Sequence, residues 1–386
     1  MIPRARASKA IRGLLRRHPV VAILGARQVG KTTLAQELIA SASGPTRYFD
    51  LEDPADLGLL DEPMLTLRDA KGLLVIDEVQ RRPELFPILR VLVDKPRPRR
   101  RFLILGSASP DLLQQSSESL AGRIHYFQLG GFDLEELGTG QLERLWLRGG
   151  FPRSFLAGSD RASAEWRRGF AKTFLQRDLP ELGVSVGSGT MERFWAMLGH
   201  YHGQTWNASE FARAFGIGNK AVGRYLDHLT QTFMVRQLRP WHENLKKRQV
   251  KSPKVLFHDS GMLHTQLGLD SLRALQRHPK VGASWEGFAL DCAVRQLGAR
   301  PEECYFWATH AGAELDLLVV RGSRRLGFEF KRTEAPRISK SMRVCMQDLS
   351  LDRLCVVHAG RESYPLDHRV RALAVCDLLQ ELRPLR

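Results

Sequence analysis

Acidic residues are in short supply in this 386-residue chain: 42 Asp and Glu stand against 58 Lys and Arg, a formal charge of +16. Nucleotide alone needs no such excess, so the imbalance points to an acidic partner, with nucleic acid ahead of an anionic membrane surface. Long apolar runs are missing as well. Nothing approaches the ~18–20 consecutive apolar residues that a membrane-spanning helix requires, and no membrane partner is expected. Cysteine is sparse. Cys292, Cys304, Cys345, Cys355 and Cys376 all fall in the C-terminal part and show no C-x-x-C spacing, which reads as reduced, mostly buried thiols of a cytoplasmic protein. The segment Met1–Arg17 has no acid at all, only Arg4, Arg6, Lys9, Arg12, Arg16 and Arg17. Organelle transit peptides share that pattern, but here it runs straight into an apolar strand, so a basic leader helix of the fold is expected. What remains is ordinary: 43% apolar and 26% charged residues suit two or three domains, each with its own core.

The chain is organised around Gly25-Ala-Arg-Gln-Val-Gly30-Lys31-Thr32. It fits G-x-x-x-x-G-K-[ST] without a departure. Pro19–Leu24 before it reads as a buried strand, and Thr33–Ala40 after it as a helix with Leu34, Leu38 and Ile39 on one face. Strand, glycine turn and helix start make a phosphate cradle: backbone N–H groups turn inward and the helix N-terminus adds partial positive charge. Gly25, Gln28, Gly30, Lys31, Thr32 and Thr33 are the expected ATP contacts. Lys31 reaches the β- and γ-phosphates and the Thr32 hydroxyl ligates Mg²⁺.

Strand and helix patterns then alternate, which predicts a parallel sheet. Strands are expected at 46–51, 72–76, 101–105 and 125–129, each ending in polar residues, where an open parallel sheet binds its ligand. Leu73-Leu-Val-Ile-Asp77-Glu78 is a continuous apolar run closed by two carboxylates, which are costly there without work to do. Asp77 is expected to hold Mg²⁺, directly or through water, and Glu78 to polarise the attacking water. Ser107, at a neighbouring strand tip, reads either as a group positioning the water or γ-phosphate or as a turn cap. Arg123 reads either as an arginine finger on a nucleotide or as a surface arginine.

These residues, with Val75-Ile-Asp-Glu-Val-Gln80, Gly106-Ser-Ala-Ser109, Glu118-Ser-Leu-Ala-Gly-Arg123, Arg148-Gly-Gly-Phe-Pro152 and Gln176-Arg-Asp-Leu179, resemble the prokaryotic AAA-type ATPases with a C-terminal domain of unknown function. The resemblance covers nearly the whole chain. It implies an ATPase of the additional-strand class, its catalytic carboxylate on a strand adjacent to the P-loop strand, and self-association into a ring or smaller oligomer.

From 141 to 204 the pattern is helical, with Trp166, Phe170, Phe174, Phe194, Met197 and Leu198 at helical spacing, and a helical lid is expected. Beyond it, a helix capped by Ser209 and running through Phe215, a Gly216-Ile-Gly218 turn and a helix from Asn219 to Leu229 have helix-turn-helix spacing. Strands at 233–238 and 254–258 follow as a wing. Between Arg236 and Lys254 lie seven Lys/Arg and one acid, Glu243. Lys220, Arg224, Lys246, Lys247, Arg248 and Lys251 are the candidate DNA contacts, suited to phosphates more than to bases. Oligomer packing with a solvated basic loop is the competing reading.

In the last stretch Glu286 lies in the first turn of an amphipathic helix over 283–297, Asp316 on one strand, and Glu329 and Lys331 on one face of the next. This set resembles the restriction-endonuclease-like nuclease core, in which carboxylates hold Mg²⁺ and the lysine positions or activates water. A nuclease fold kept for binding or assembly gives the same pattern.

The expected architecture is α/β: a P-loop AAA-type parallel-sheet domain (1–140), a helical lid (141–204), a winged-helix module (205–275) and a restriction-endonuclease-like α/β domain (276–386). The expected function is an oligomeric, cytoplasmic, ATP- and Mg²⁺-dependent ATPase that binds duplex or single-stranded DNA and remodels or translocates it, coupled to a nuclease-like domain. The alternative is a nucleotide-dependent assembly switch acting on a protein partner, with the nuclease-like fold used only for binding.

Overall fold

A computed structural model describes residues 2–95, 100–106, 118–243 and 247–385. The chain forms two compact units, Met1–Phe132 with Gln231–Phe233, and Asp133–Thr230 with Met234–Arg386.

The first unit is built on five parallel strands: β1 (Val20–Leu24), β2 (Thr46–Asp50), β3 (Gly72–Asp77), β4 (Arg100–Gly106) and β5 (Ile124–Gln128). Their order is β2-β3-β4-β1-β5. The sequence accounts for who sits where. β1 is Val-Val-Ala-Ile-Leu and buried throughout, as a central parallel strand covered on both faces must be. The edge strands β2 and β5 carry Arg47 and His125 and are only partly buried. Phe49, Phe86 and Phe102 are fully buried beside Val20, Leu74 and Ile104; burying an aromatic side chain of this size stabilises by roughly 2–3 kcal/mol. The order corrects one expectation. The carboxylate strand β3 is not adjacent to the P-loop strand β1; β4 lies between them.

The basic N-terminal segment is a helix, Ala5–Arg17, burying Ala7, Ile11 and Leu14. Just before it, buried Arg4 donates to the carbonyls of Val29 (3.1 Å), Gly130 (3.0 Å) and Gly131 (3.0 Å). The leader thus clasps the P-loop turn and the chain leaving β5.

The second unit opens with helices that include Leu142–Arg148, Asp160–Thr173 and Ser188–Tyr201. The aromatic stripe is their core: Trp166 stacks on Phe170 with centroids 5.3 Å apart, and Phe174 packs on Trp195 at 5.3 Å. Helices Ala208–Phe215 and Asn219–Gln231 follow, the first capped by the Asn207 side chain rather than Ser209. Next come β6 (Val235–Pro240) and β7 (Lys254–Phe257), paired antiparallel.

The two-helix and hairpin pattern is therefore present, but the hairpin does not stand alone. β6 continues into parallel pairing with β8 (Cys304–Ala308), through Arg239 with Tyr305 and Pro240 with Phe306. With β9 (Glu314–Arg321), β10 (Arg324–Lys331), β11 (Arg353–His358), β12 (Tyr364–Asp367) and β13 (Val370–Ala374), they form one eight-stranded mixed sheet ordered β12-β13-β11-β10-β9-β8-β6-β7. A boundary at 275 runs through that sheet. The helix Val281–Leu297 packs against β10. Among the described residues no helix is long and apolar enough to cross a membrane.

Candidate functional site

In the first unit the turn between β1 and the helix Lys31–Ala40 carries two left-handed residues, Gln28 (φ 62°) and Gly30 (φ 95°). Alternating backbone hands in such a turn point successive N–H groups into one concavity, an anion nest. Gly25 is needed for a different reason: a Cβ there would lie 2.2 Å from the carbonyl oxygen of Leu129. The buried Lys31 ammonium donates to the carbonyls of Gly25 (3.1 Å) and Ala26 (3.0 Å). Its pKa is lowered by burial, against the opposing pull of Glu78 and Asp77. Thr33 follows on the exposed side of the first helical turn.

Although β4 separates the two strands, Asp77 at the end of β3 meets the P-loop. Its Oδ2 accepts from the Thr32 hydroxyl at 2.7 Å and from the Tyr48 hydroxyl at 2.8 Å, while its Oδ1 accepts from the Glu78 backbone N–H at 2.8 Å. Glu78 has left the strand in a left-handed conformation, φ 54°. Such a conformation costs a non-glycine residue of order 1–2 kcal/mol and persists where its surroundings enforce it. Burial first, and then the Asp77 charge, raise the Glu78 pKa, partly offset by Lys31 and by a hydrogen bond from Gln80. Thr32 and Asp77 fit a Mg²⁺ site of the P-loop kind, a hydroxyl and a carboxylate at the mouth of an anion nest. Ser107 lies outside the described residues.

Arg123 is elsewhere. It precedes β5 at the start of the parallel strands, where its carbonyl accepts from Val20 N–H at 3.2 Å, whereas the P-loop follows their ends. Five residues of strand at ~3.3 Å each separate it from its own cradle. Its guanidinium is bound to Asp94, at 2.6 and 3.0 Å. The Asp94 pair and the length of the strand set Arg123 apart from its own subunit's cradle.

In the second unit, continuing the β9/β10 register (Phe328 with Leu317) sets Asp316 across from Glu329. Asp316 Oδ2 accepts from the Phe330 N–H at 3.1 Å and lies 3.7 Å from Lys331 Nζ, which is 3.3 Å from Glu329. Glu286 faces the same charges from its helix. Burial first, then Asp316, push Glu286 up to about 7 and Glu329 up to about 8. Burial would raise Asp316 too, but Lys254 and Lys331 outweigh it and hold that carboxyl below its ordinary value. The four expected residues are thus together. An open cavity of about 470 Å³ adjoins them, lined by Glu286, Lys331, Arg332, Arg337 and Ser339 among others.

Of the candidate DNA contacts, Lys220 and Arg224 are exposed one turn apart on the helix Asn219–Gln231, and Arg248 and Lys251 are exposed in the segment before β7. Lys247 is already ion-paired with Asp348 at 2.6 Å. Lys246 lies outside the described residues.

Four site residues escaped the sequence reading: Tyr48, Gln80, Glu314 and Lys254. Tyr48 looks like any strand aromatic. Lys254 was one cation among seven, yet its ammonium lies 3.2 Å from Asp316 and against Glu314.

Comparison with known proteins agrees with the first unit's geometry. A family described as "AAA domain" matches residues 17–138, and two domains of unknown function, DUF8612 and DUF4143, match 139–273 and 281–378. Two relatives, "Uncharacterized protein Rv2008c" of Mycobacterium tuberculosis and "Uncharacterized protein Mb2031c" of Mycobacterium bovis, are each 48% identical over 379 residues, covering 98% of this chain and 85% of theirs. The chain belongs to their family, with an AAA-type P-loop ATPase domain. Among solved structures, this AAA-type chain is similar to the Walker-type ATPase PABY2304 of Pyrococcus abyssi, at TM-score 0.48 and 17% identity over 69% of this chain and 96% of that one. It is also similar to the Thermotoga maritima RuvB Holliday junction branch migration motor, at TM-score 0.30 and 16% identity over 61% and 90%. The family assignment rests on the sequence matches.

Proposed function

We propose that this chain hydrolyses ATP with Mg²⁺ as an oligomer, and that it binds DNA through its second unit and uses turnover to remodel or translocate it. The observation carrying the hydrolysis is the 2.7 Å hydrogen bond from Thr32 to Asp77 beside buried Lys31, with Glu78 next in the chain. A backbone nest, a hydroxyl and two carboxylates adjoin there, which supports reading them as phosphate cradle, Mg²⁺ ligands and base. Lys31 would exchange two loop carbonyls for phosphate oxygens, and Glu78 would take a proton from the attacking water. Bound Mg²⁺ would supply charge neutralisation on the phosphates. Arg123, remote from its own cradle, would act as a finger only on a neighbouring subunit.

DNA is supported by the charge of +16 and by the exposed Lys220, Arg224, Arg248 and Lys251. The nuclease-like carboxylate and lysine set would then lie against the same strand. The test is ATP hydrolysis with and without single-stranded and duplex DNA, the DNA being examined afterwards for cuts. Stimulation by DNA, with steeply salt-dependent binding, is expected. Turnover indifferent to DNA, together with no binding at low salt, would overturn it.

A second reading is favoured by the Lys254 and Lys331 ammoniums among the C-terminal carboxylates. An ion-paired centre suits a nuclease-like fold retained for binding, with nucleotide controlling assembly on a protein partner. In that case hydrolysis follows protein concentration rather than DNA.

A further inference from the structure

Lys254 enters the carboxylate centre from β7, the outermost strand of the sheet, where its backbone pairs with Leu238 and is bridged to Thr205. The residue is 9% exposed. Its Nζ lies over the Phe306 ring, 5.6 Å from the ring centre. Its ammonium lies 3.2 Å from Asp316 Oδ1 and against the Glu314 carboxylate. Lys331 approaches the other Asp316 oxygen, Oδ2, at 3.7 Å. Each oxygen of the central carboxylate therefore already faces a cation. Oδ2 also accepts the Phe330 N–H.

Such a centre does not fit a resident divalent ion. Mg²⁺ sits at roughly 2.0–2.1 Å from its oxygen ligands and needs their negative charge uncompensated. An ammonium on the same carboxylate both neutralises that charge and repels the ion. Among the described residues, no three His, Cys, Asp or Glu side chains converge as a metal-holding group. The oxygens that a divalent ion would use are those that Lys254 uses.

We propose that the Lys254 ammonium is the built-in cation of this centre, standing where a divalent metal would sit between Glu314 and Asp316, and that the centre takes a metal only when Lys254 is removed from it. The inference rests on reading Glu286, Asp316, Glu329 and Lys331 as a nuclease-like centre. It does not depend on whether DNA stimulates ATP hydrolysis. A centre neutralised from within is held together without metal and stays silent toward nucleic acid lying on the adjoining basic cavity.

The experiment is a Mn²⁺ titration of the full chain without nucleotide or DNA, by calorimetry and by thermal melting, so its outcome is separate from that of the ATPase assay. Lys254→Met keeps an unbranched side chain and removes the charge. It should melt lower than wild type in chelator and bind Mn²⁺ at one site at least tenfold more tightly than wild type, with its melting temperature restored by the ion. Lys254→Arg keeps a cation and should respond as wild type does. Adding Asp316→Asn to Lys254→Met should abolish the new site, which separates it from any ion at Thr32 and Asp77. Two results would overturn the proposal. One is wild type binding Mn²⁺ at an Asp316-dependent site as tightly as Lys254→Met. The other is Lys254→Met, folded or not, gaining no Asp316-dependent response to the ion.

Discussion

Replacing Glu78 by Gln should remove the proposed base and almost nothing else. The side chain keeps its length, and the left-handed backbone at 78 is as costly for Gln as for Glu, so folding is unaffected by that term. Gln80 donates to a Glu78 carboxylate oxygen, and the amide oxygen of the substituted side chain can accept the same bond. Lys31, Thr32 and Asp77 are untouched, so nucleotide should bind within about threefold of wild type, under ~0.7 kcal/mol. Turnover is another matter. A positioned general base contributes ~10²- to 10⁴-fold, or ~2.7–5.4 kcal/mol of barrier, and kcat should fall by that factor. The pH profile gives an independent check. Burial and Asp77 raise the Glu78 pKa above the ordinary carboxylate value, and the base works only when ionised. The wild-type rate should therefore climb with pH through that raised pKa, and the climb should vanish in Glu78→Gln. Gln80→Leu removes a bond that favours the ionised form, so it should shift the climb to higher pH. Phosphate release measured beside binding of a fluorescent ATP analogue decides the matter. Turnover kept within a few-fold, or affinity lost in step with turnover, would refute the assignment of Glu78 as base.

Gly149→Ala should destabilise the second unit by several kcal/mol, visible in denaturant melts, because the backbone has φ +74° and the new Cβ would meet the Asp259 carboxylate at 2.1–2.6 Å. Changing Arg248 and Lys251 to Ala should weaken DNA binding on all sequences alike and flatten the dependence of log affinity on log salt by ~0.9 for each duplex phosphate that these side chains neutralise; an unchanged slope would remove this segment from the interface. Acid should unfold the second unit. Burial holds His202 and His258 down at about 3 and His264 at about 4, so their stabilisation is complete above the unfolded value near ~6.5 and is lost as pH falls toward the folded values. Each contributes a slope of ~1.4 kcal/mol per pH unit in that window. Glu286 and Glu329, raised, act in the opposite sense and blunt the loss until pH falls below ~4.3. Melting temperatures that stay flat from pH 7 to 4 would contradict this.

The P-loop strand, the carboxylate strand and the helix between them were legible because each is a short local pattern: an apolar run, a turn residue, a polar end. Sheet order was not. Nothing local in Arg101-Phe-Leu-Ile-Leu105 says that it inserts between β1 and β3, because that depends on crossovers spanning dozens of residues. The same reason hid the pairing of Arg239 and Pro240 with Tyr305 and Phe306, a short contact between distant segments. Side-chain types gave the members of the C-terminal centre on β9, β10 and the preceding helix, since alternation fixes which strand residues share a face. Lys254 was invisible as a member because a buried lysine at a strand start looks in sequence like one more cation of a basic loop. The glycines of Arg148-Gly-Gly-Phe-Pro152 entered the sequence reading only as part of the family resemblance. The structure gives them a packing role: the Gly150 N–H donates to Asp259 at 2.7 Å, and that carboxylate fills the space over Gly149.

The pairing of β6 with β8 also bears on how the molecule can be cut. The basic segment is sewn to the end of β8 at several points: Trp241 N–H to Phe306 carbonyl at 2.7 Å, Val250 N–H to Ala308 carbonyl at 3.0 Å, and His310 N–H to Arg248 carbonyl at 2.9 Å. A fragment ending near 275 would carry the two helices and the hairpin, but it would expose the β6 edge and leave the Trp241 and Val250 N–H groups without these partners. A fragment beginning there would lack Lys254 and lose the cation that its buried carboxylates lean on. Both pieces present open strand edges, the usual route to aggregation. Dissection of binding from chemistry in this chain is therefore a task for point substitutions within an intact second unit, and insoluble fragments would say nothing about what either half does.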